Sequence, residues 1–248
     1  MKEISLNSSQ TKLKHILIKN GWMLEEDQII HVETPGVGNM NVVLRITTRK
    51  GSIILKQSRA YVNKYPQIPA PIDRIEVENQ FYELVHTSSC SPYLPKLLGF
   101  DRINKLLFIE DLGRSSDYQV LYQNKVDLSQ KDYVEILSFL HQLHHASFNA
   151  SQRAKFPKNL ALRQLNHEHL FVYPYSEEND FDLNEIKPGL QQLAHKMRQD
   201  IALKKAAIQL GKRYLSEGTS LLHGDYYPGS WLKTDFGFRV IDPEFCFF

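Results

Sequence analysis

Residues 222–245 read LHGDYYPGSWLKTDFGFRVIDPEF, and this stretch organises the interpretation of the whole chain. Leu221 and Leu222 close a short apolar run, and His223-Gly224-Asp225 turns a corner. A hairpin is then predicted, with strands over 231–233 and 238–241 joined by Thr234-Asp235-Phe236-Gly237. Pairing Lys233 with Phe238 sets Ser230 opposite Ile241, so Asp242 and Glu244 emerge beside Ser230 and within reach of Asp225. Four oxygen-bearing side chains are therefore expected at one end of the ribbon.

Oxygen ligands suit hard divalent cations such as Mg²⁺, which keep waters and substrate phosphates in the rest of their shell. Asp225 precedes the hydroxyl of Ser230 by five residues and the carboxylate of Asp242 by seventeen. Phosphoryl transfer needs such a layout: one carboxylate orients or deprotonates the attacking hydroxyl, while others hold the metal that bridges the nucleotide phosphates. His-Gly-Asp alone reads equally as an ordinary turn; Asp242-Pro243-Glu244 at the matching distance favours the chemistry.

These residues resemble the catalytic and metal-binding pair of the aminoglycoside and choline kinase family, relatives of the protein kinases. Gly229-Ser230, where most of that family has Asn, and Asp242-Pro243-Glu244-Phe245 are similar to the methylthioribose kinase branch. The resemblance implies an α+β, protein-kinase-like fold of two lobes and the cofactors ATP and Mg²⁺. It implies Asp225 as the catalytic residue, and Asp242, Glu244 and Ser230 at the metal. The partner is then a small-molecule hydroxyl acceptor, sugar-like in the methylthioribose branch and an amino alcohol or aminoglycoside elsewhere in the family.

Composition is compatible with this reading. A chain of 248 residues can bury a sizeable core in one large or two small domains. Its formal charge of +2, with scattered Lys and Arg, carries no electrostatic footprint for nucleic acid or a membrane surface. Cys90 and Cys246 lack CxxC spacing and fit a reducing cytoplasm. The start of the chain is polar, without a signal peptide's apolar segment, and no apolar run reaches the roughly 20 residues of a membrane helix.

The amino-terminal region, 1–113, reads as a nucleotide-binding lobe. A helix is expected over 9–20 and strands over 29–33, 42–47, 52–57, 96–101 and 106–109, an antiparallel meander. Pro35-Gly36-Val37-Gly38-Asn39-Met40-Asn41 lies between the first two strands. Glycines let backbone amides approach a phosphate. The third glycine of the usual nucleotide-covering loop is absent, so the stretch alone also reads as a plain hairpin loop. Gly38 to Asn41 are similar to the Gly-Asn-Leu-Asn of methylthioribose kinases, which implies that Gly36, Gly38, Asn39 and Asn41 cover the nucleotide.

Lys56 ends a strand and reads either as a solvated strand end or as the lysine that reaches nucleotide phosphates. On the next predicted helix, 74–85, Glu78 shares a face with Ile75, Phe81, Tyr82 and Val85, whereas Glu76 falls on the solvent side. A carboxylate in an apolar stripe is costly unless paired, so Lys56 and Glu78 are expected to meet. The proline-rich stretch 61–73 is read as loop. Glu110-Asp111-Leu112-Gly113 reads as an acidic loop; it is similar to the Glu-Asp-Leu lobe linker of methylthioribose kinases, which implies adenine contacts at Glu110 and Leu112.

Residues 114–248 read as a mainly helical catalytic lobe. One helix is expected over 129–150 with Tyr133, Ile136, Leu137, Leu140 and Leu143 inward, and another over 188–215 with Leu190, Leu193, Met197, Ile201 and Ile208 inward. His141, His144 and His145 lack an acidic companion and a third metal ligand, and His167-Glu168-His169 lacks helical ligand spacing. The aromatic run 170–175 reads either as packing or as aromatics that hold a substrate near a cleft.

Two departures from the family pattern stand out. Tyr226-Tyr227-Pro228 replaces Leu-His-Thr beside the attacking hydroxyl. The chain stops three residues after Phe245, where relatives continue with helices that complete the large lobe and supply an arginine pair for the substrate. A fragment, a lobe completed by a partner or by a second copy in a homodimer, and a nucleotide-binding module without catalysis are the three readings this leaves.

Overall fold

Val42, Leu44 and Ile46 are buried in alternation with the half-buried Val43, Arg45 and Thr47 and send one face of a strand inward. This strand belongs to a computed structural model that describes residues 3–36, 38–123, 127–179 and 182–248. Val37 of the glycine loop lies outside the described residues. The chain divides into two units, Met1–Pro157 with Ser220–Phe248, and Lys158–Thr219. The lobe boundary expected at Gly113 falls inside the first unit.

In the first unit, helix α1 (Gln10–Lys19), capped by Ser9, precedes β1 (Ile29–Glu33), β2 (Val42–Thr48) and β3 (Gly51–Gln57). A short hairpin, β4 (Tyr61–Val62) and β5 (Tyr65–Pro69), leads into α2 (Arg74–Val85). Strands β6 (Leu97–Asp101) and β7 (Leu106–Glu110) then complete an antiparallel sheet ordered β1-β2-β3-β7-β6. One face of this sheet packs Leu44, Ile46, Leu55, Leu106 and Phe108 against Leu13, Ile16 and Leu17 of α1. The other turns Ile54, Leu107 and Ile109 toward Ile75, Phe81 and Val85 of α2.

That second core continues into the remainder of the unit. β8 (Ser115–Asp117), α3 (Gln130–His145) and α4 (Ala150–Lys155) precede the hairpin β9 (Trp231–Thr234) and β10 (Gly237–Val240). Phe238 pairs with Lys233, and Ile241 N–H donates to Ser230 O at 3.0 Å, the register expected from the sequence. Phe238 and Val240 bury the hairpin's inner face against Ile136, Phe139 and Leu143 of α3.

Three expectations are corrected. Residues 61–73 are not all loop: Pro66 and Pro69 sit in a two-stranded hairpin, where a missing N–H is tolerated. The carboxy-terminal ribbon has three strands, since β8 pairs with β9, Ser115 opposite Thr234. Helix α3 ends at His145 and turns its face: Ile136, Phe139 and Leu143 are buried, while Tyr133 and Leu137 are exposed.

The second unit contains α5 (Leu160–His167), α6 (Leu190–Arg198) and α7 (Ile201–Leu215). The single helix expected over 188–215 is thus two helices, because Asp200 caps α7 through Leu203 N–H at 2.9 Å. In α6 and α7 the buried residues are Ala194, Arg198, Ala207 and Gly211, whereas Leu193, Ile201 and Ile208 are exposed. Packing here uses small residues: a Cβ on Gly211 would come within 2.7 Å of His167 Nε2. Among the described residues no helix is long and apolar enough to cross a membrane.

Candidate active site

The His-Gly-Asp corner is built from the backbone outward. Gly224 has φ +83°, and a Cβ there would lie 2.1 Å from the carbonyl oxygen of Phe245, so glycine alone fits. His223 is buried; its Nε2 lies 3.0 Å from Ile241 O, and its Nδ1 accepts Asp225 N–H at 3.3 Å. That arrangement requires the neutral tautomer protonated on Nε2. Burial keeps it neutral, pushing the imidazole down to about 4. Ser230 Oγ donates to Asp225 O at 2.9 Å, closing the turn that carries the aspartate. Burial, reinforced by the charges of Glu244 and Asp242, raises the Asp225 carboxyl to about 7.

Lys56 lies deep in the same cleft. Its Nζ is 2.6 and 2.8 Å from the two oxygens of Glu78 and 2.6 Å from Asp242 Oδ1. Burial alone would push the ammonium down, but Asp242, Glu78 and Glu244 together outweigh it and hold Lys56 well above the ordinary lysine value. Glu78 is fully buried, as its position on the apolar stripe requires; Glu76 is also partly shielded, by Lys105 and Arg102. Asp242 adopts φ +63°, an unusual backbone for a non-glycine residue, and its side chain remains 43% exposed toward the cleft.

Glu244 is turned inward. Its Oε2 accepts from Asn41 Nδ2 at 3.0 Å and lies 3.1 Å from Arg74 Nε. Asn41 therefore faces the protein interior, although its loop lines the cleft. Gly38 N–H reaches Gly36 O at 3.1 Å, and β4–β5 braces the loop through Lys64 N–H to Asn39 O at 2.9 Å and Asn63 N–H to Met40 O at 3.2 Å.

The linker after β7 is held by Asp111, whose carboxylate takes a fork from Arg45 at 2.8 and 3.0 Å and a hydroxyl from Ser52 at 2.5 Å. Glu110 N–H is occupied by Lys96 O at 2.9 Å, and Glu110 and Leu112 border the cleft. The cleft measures about 500 Å³, with Val43, Ile54, Ile109 and Ile241 among its apolar walls and Asp117, Asp225, Tyr227 and Asp242 among its polar ones. Tyr226 points elsewhere: it stacks on Phe139 at 5.4 Å and donates to Ile136 O at 2.9 Å. Of the tyrosine pair, Tyr227 is the one at the cleft.

All the predicted site residues thus border one cleft or its supporting layer. They do not form a ready-made metal cage: among the described residues no three His, Cys, Asp or Glu side chains are placed to hold an ion. Asp242 and Asp225 present oxygens to the cleft, which suits Mg²⁺, an ion that takes one or two carboxylates and completes its shell with phosphates and water. Sequence reasoning missed Arg74 and Arg45. Arg74 had a readable signal, since it stands one turn before Glu78 on the same helical face.

No described family profile matches the chain. Methylthioribose kinase of Yersinia pseudotuberculosis is 30% identical over 245 residues, 92% of this chain and 57% of the relative. The enzyme of Pectobacterium atrosepticum is 30% identical over 244 residues, 92% and 58%. The chain therefore spans a little over half the length of these relatives. Among solved structures, choline kinase LicA from Streptococcus pneumoniae superposes with TM-score 0.51 at 16% identity, covering 96% of this chain and 70% of that one. A spectinomycin phosphotransferase solved with ADP and spectinomycin superposes with TM-score 0.54 at 13% identity, covering 97% and 70%. Over the part of those proteins that it spans, the chain is similar in sequence to the methylthioribose kinases and shares its fold with the choline kinase and the spectinomycin phosphotransferase.

Proposed function

We propose that the chain carries the nucleotide site and catalytic corner of an ATP-dependent small-molecule kinase, transferring the γ-phosphate to a hydroxyl of a sugar-like acceptor of the methylthioribose type. The observation that carries this reading is the convergence of Lys56, Asp242 and Asp225 on one cleft. Lys56, fixed by Glu78, can give up its contact with the half-exposed Asp242 to reach a phosphate oxygen. Asp242 would hold Mg²⁺, with Glu244 and Ser230 behind it. When bound, Mg²⁺ neutralises charge on the transferring phosphoryl group.

Asp225 would orient the acceptor hydroxyl and take its proton. Its carboxyl, raised to about 7, is a suitably basic acceptor at neutral pH. Ser230 and His223 fix the backbone that carries it. The loop of Gly36, Gly38 and Asn39 would cover the phosphates, with Asn41 anchoring its end to Glu244, and the linker at Glu110 and Leu112 would border the adenine, between the apolar walls of Val43, Ile54 and Ile109. The region up to Gly113 would be the nucleotide lobe and the region after it the catalytic lobe. Two free, buried cysteines support a reducing cytoplasm.

A second reading is favoured by Asp117 and Tyr227 at the acceptor side, an anionic and aromatic lining that would welcome a cationic amino alcohol or aminoglycoside. Release of ADP from Mg-ATP, measured across 5-methylthioribose, other sugars, choline, homoserine and an aminoglycoside, separates the two. Turnover with the sugar supports the first reading, and turnover confined to the cationic acceptors supports the second. Nucleotide binding without acceptor-dependent turnover would contradict both and leave a binding module.

A further inference from the structure

Arg74 opens α2 with its side chain sealed from solvent. Its Nε is 3.0 Å from Asn41 Oδ1 and 3.1 Å from Glu244 Oε2. Nη1 donates to Arg59 O at 2.6 Å and Pro71 O at 2.8 Å, and Nη2 to Met40 O at 2.7 Å and Tyr61 O at 3.3 Å. A guanidinium has five N–H groups, and these contacts use every one. The acceptors belong to three segments: the end of the glycine loop, the β4–β5 hairpin with its flanks, and the Asp-Pro-Glu turn. Asn41 closes the triangle by donating to Glu244 at 3.0 Å.

Stability gives little reason for this placement. The positive end of a helix dipole disfavours a cation in the first turn. Burying an ion pair is at best weakly stabilising compared with apolar residues of similar volume. What the arrangement does supply is geometry, because a loop end and a carboxylate from opposite ends of the sequence are held on one planar group.

We propose that Arg74 is a positioning residue for phosphoryl transfer: it locks the phosphate-covering loop to Glu244, so that loop amides and the Asp-Pro-Glu turn are presented together to magnesium-bound phosphates. The inference rests on the cleft being a Mg-ATP site. It assigns Asn41 a structural half of the same device, since its amide joins Glu244 to Arg74 and not to the nucleotide. Lysine cannot replace arginine here, having three donors on a flexible stem and no fork.

The test is calorimetric titration of ATP into the full chain, with and without MgCl₂, for wild type, Arg74→Lys and Asn41→Ala. Asn41→Ala leaves the Arg74–Glu244 pair in place, so it reports even where Arg74→Lys fails to fold. Wild type is expected to bind ATP more tightly with Mg²⁺. In the variants the loss of affinity measured with Mg²⁺ should exceed the loss without it by about 10–100-fold, the usual effect of removing a residue that orients a ligand. Amide exchange at 38–41 in the presence of Mg-ATP should also rise. Equal losses with and without Mg²⁺, or a folded Asn41→Ala protein with unchanged affinities, would overturn the proposal while leaving the Mg-ATP site intact. Failure of wild type to bind ATP would overturn the site itself, and this coupling with it.

Discussion

Lys56 and Glu78, 22 residues apart in sequence, meet with Nζ 2.6 and 2.8 Å from the two carboxylate oxygens, and neither side chain reaches solvent. Strand β3 supplies the cation and α2 the anion, so the pair ties the sheet to its helix. Removing one member strands the other charge. Glu78→Ala should cost about 3–5 kcal/mol in denaturant unfolding. Replacing both, Lys56→Met with Glu78→Leu, should return most of that stability while abolishing ATP binding. A double variant that still binds ATP as wild type does would remove Lys56 from the phosphate site.

Gly224 predicts a steric effect. Alanine there must place its Cβ against the Phe245 carbonyl and adopt a positive φ. Gly224→Ala should lose at least about 2 kcal/mol. A chain of this size would then melt roughly 4–8 °C lower. An unchanged melting temperature would show that the corner and the Phe245 backbone are not packed as described.

His223 predicts a pH dependence. Its folded-state value, about 4, lies below the ordinary 6.5, so between these values the unfolded chain binds the extra proton. The contribution to stability is complete above pH 6.5 and declines as pH falls toward 4, by about 3 kcal/mol at the limit. The difference in unfolding free energy between wild type and His223→Asn, measured from pH 7 to 4, should therefore shrink on acidification. A difference that stays constant would mean the imidazole titrates normally.

The parts of this molecule that were legible in its sequence rest on short-range periodicity. The 231–241 register follows from one pairing, and the burial of Glu78 from helical spacing within 74–85. Both appear in the structure. Long-range choices were not legible. Tyr133 and Leu137 fit an apolar stripe as well as Phe139 does, and only the position of β10 decides that Phe139 faces the core. Asn41 reads as a phosphate-loop residue until Arg74 and Glu244 are seen to claim its amide. Likewise the sequence does not show that the Ser230 hydroxyl proton serves the Asp225 carbonyl, a contact set by the turn at 225–230.

Transfer of radiolabelled γ-phosphate from Mg-ATP to 5-methylthioribose tests the central claim most directly, with Asp225→Asn alongside wild type. The chain should label the acceptor, and the variant should lose about 10²–10⁴ in rate, the usual worth of a general base, while still binding ATP. A wild-type chain that binds Mg-ATP but labels no hydroxyl acceptor, or an Asp225→Asn protein as fast as wild type, would contradict it.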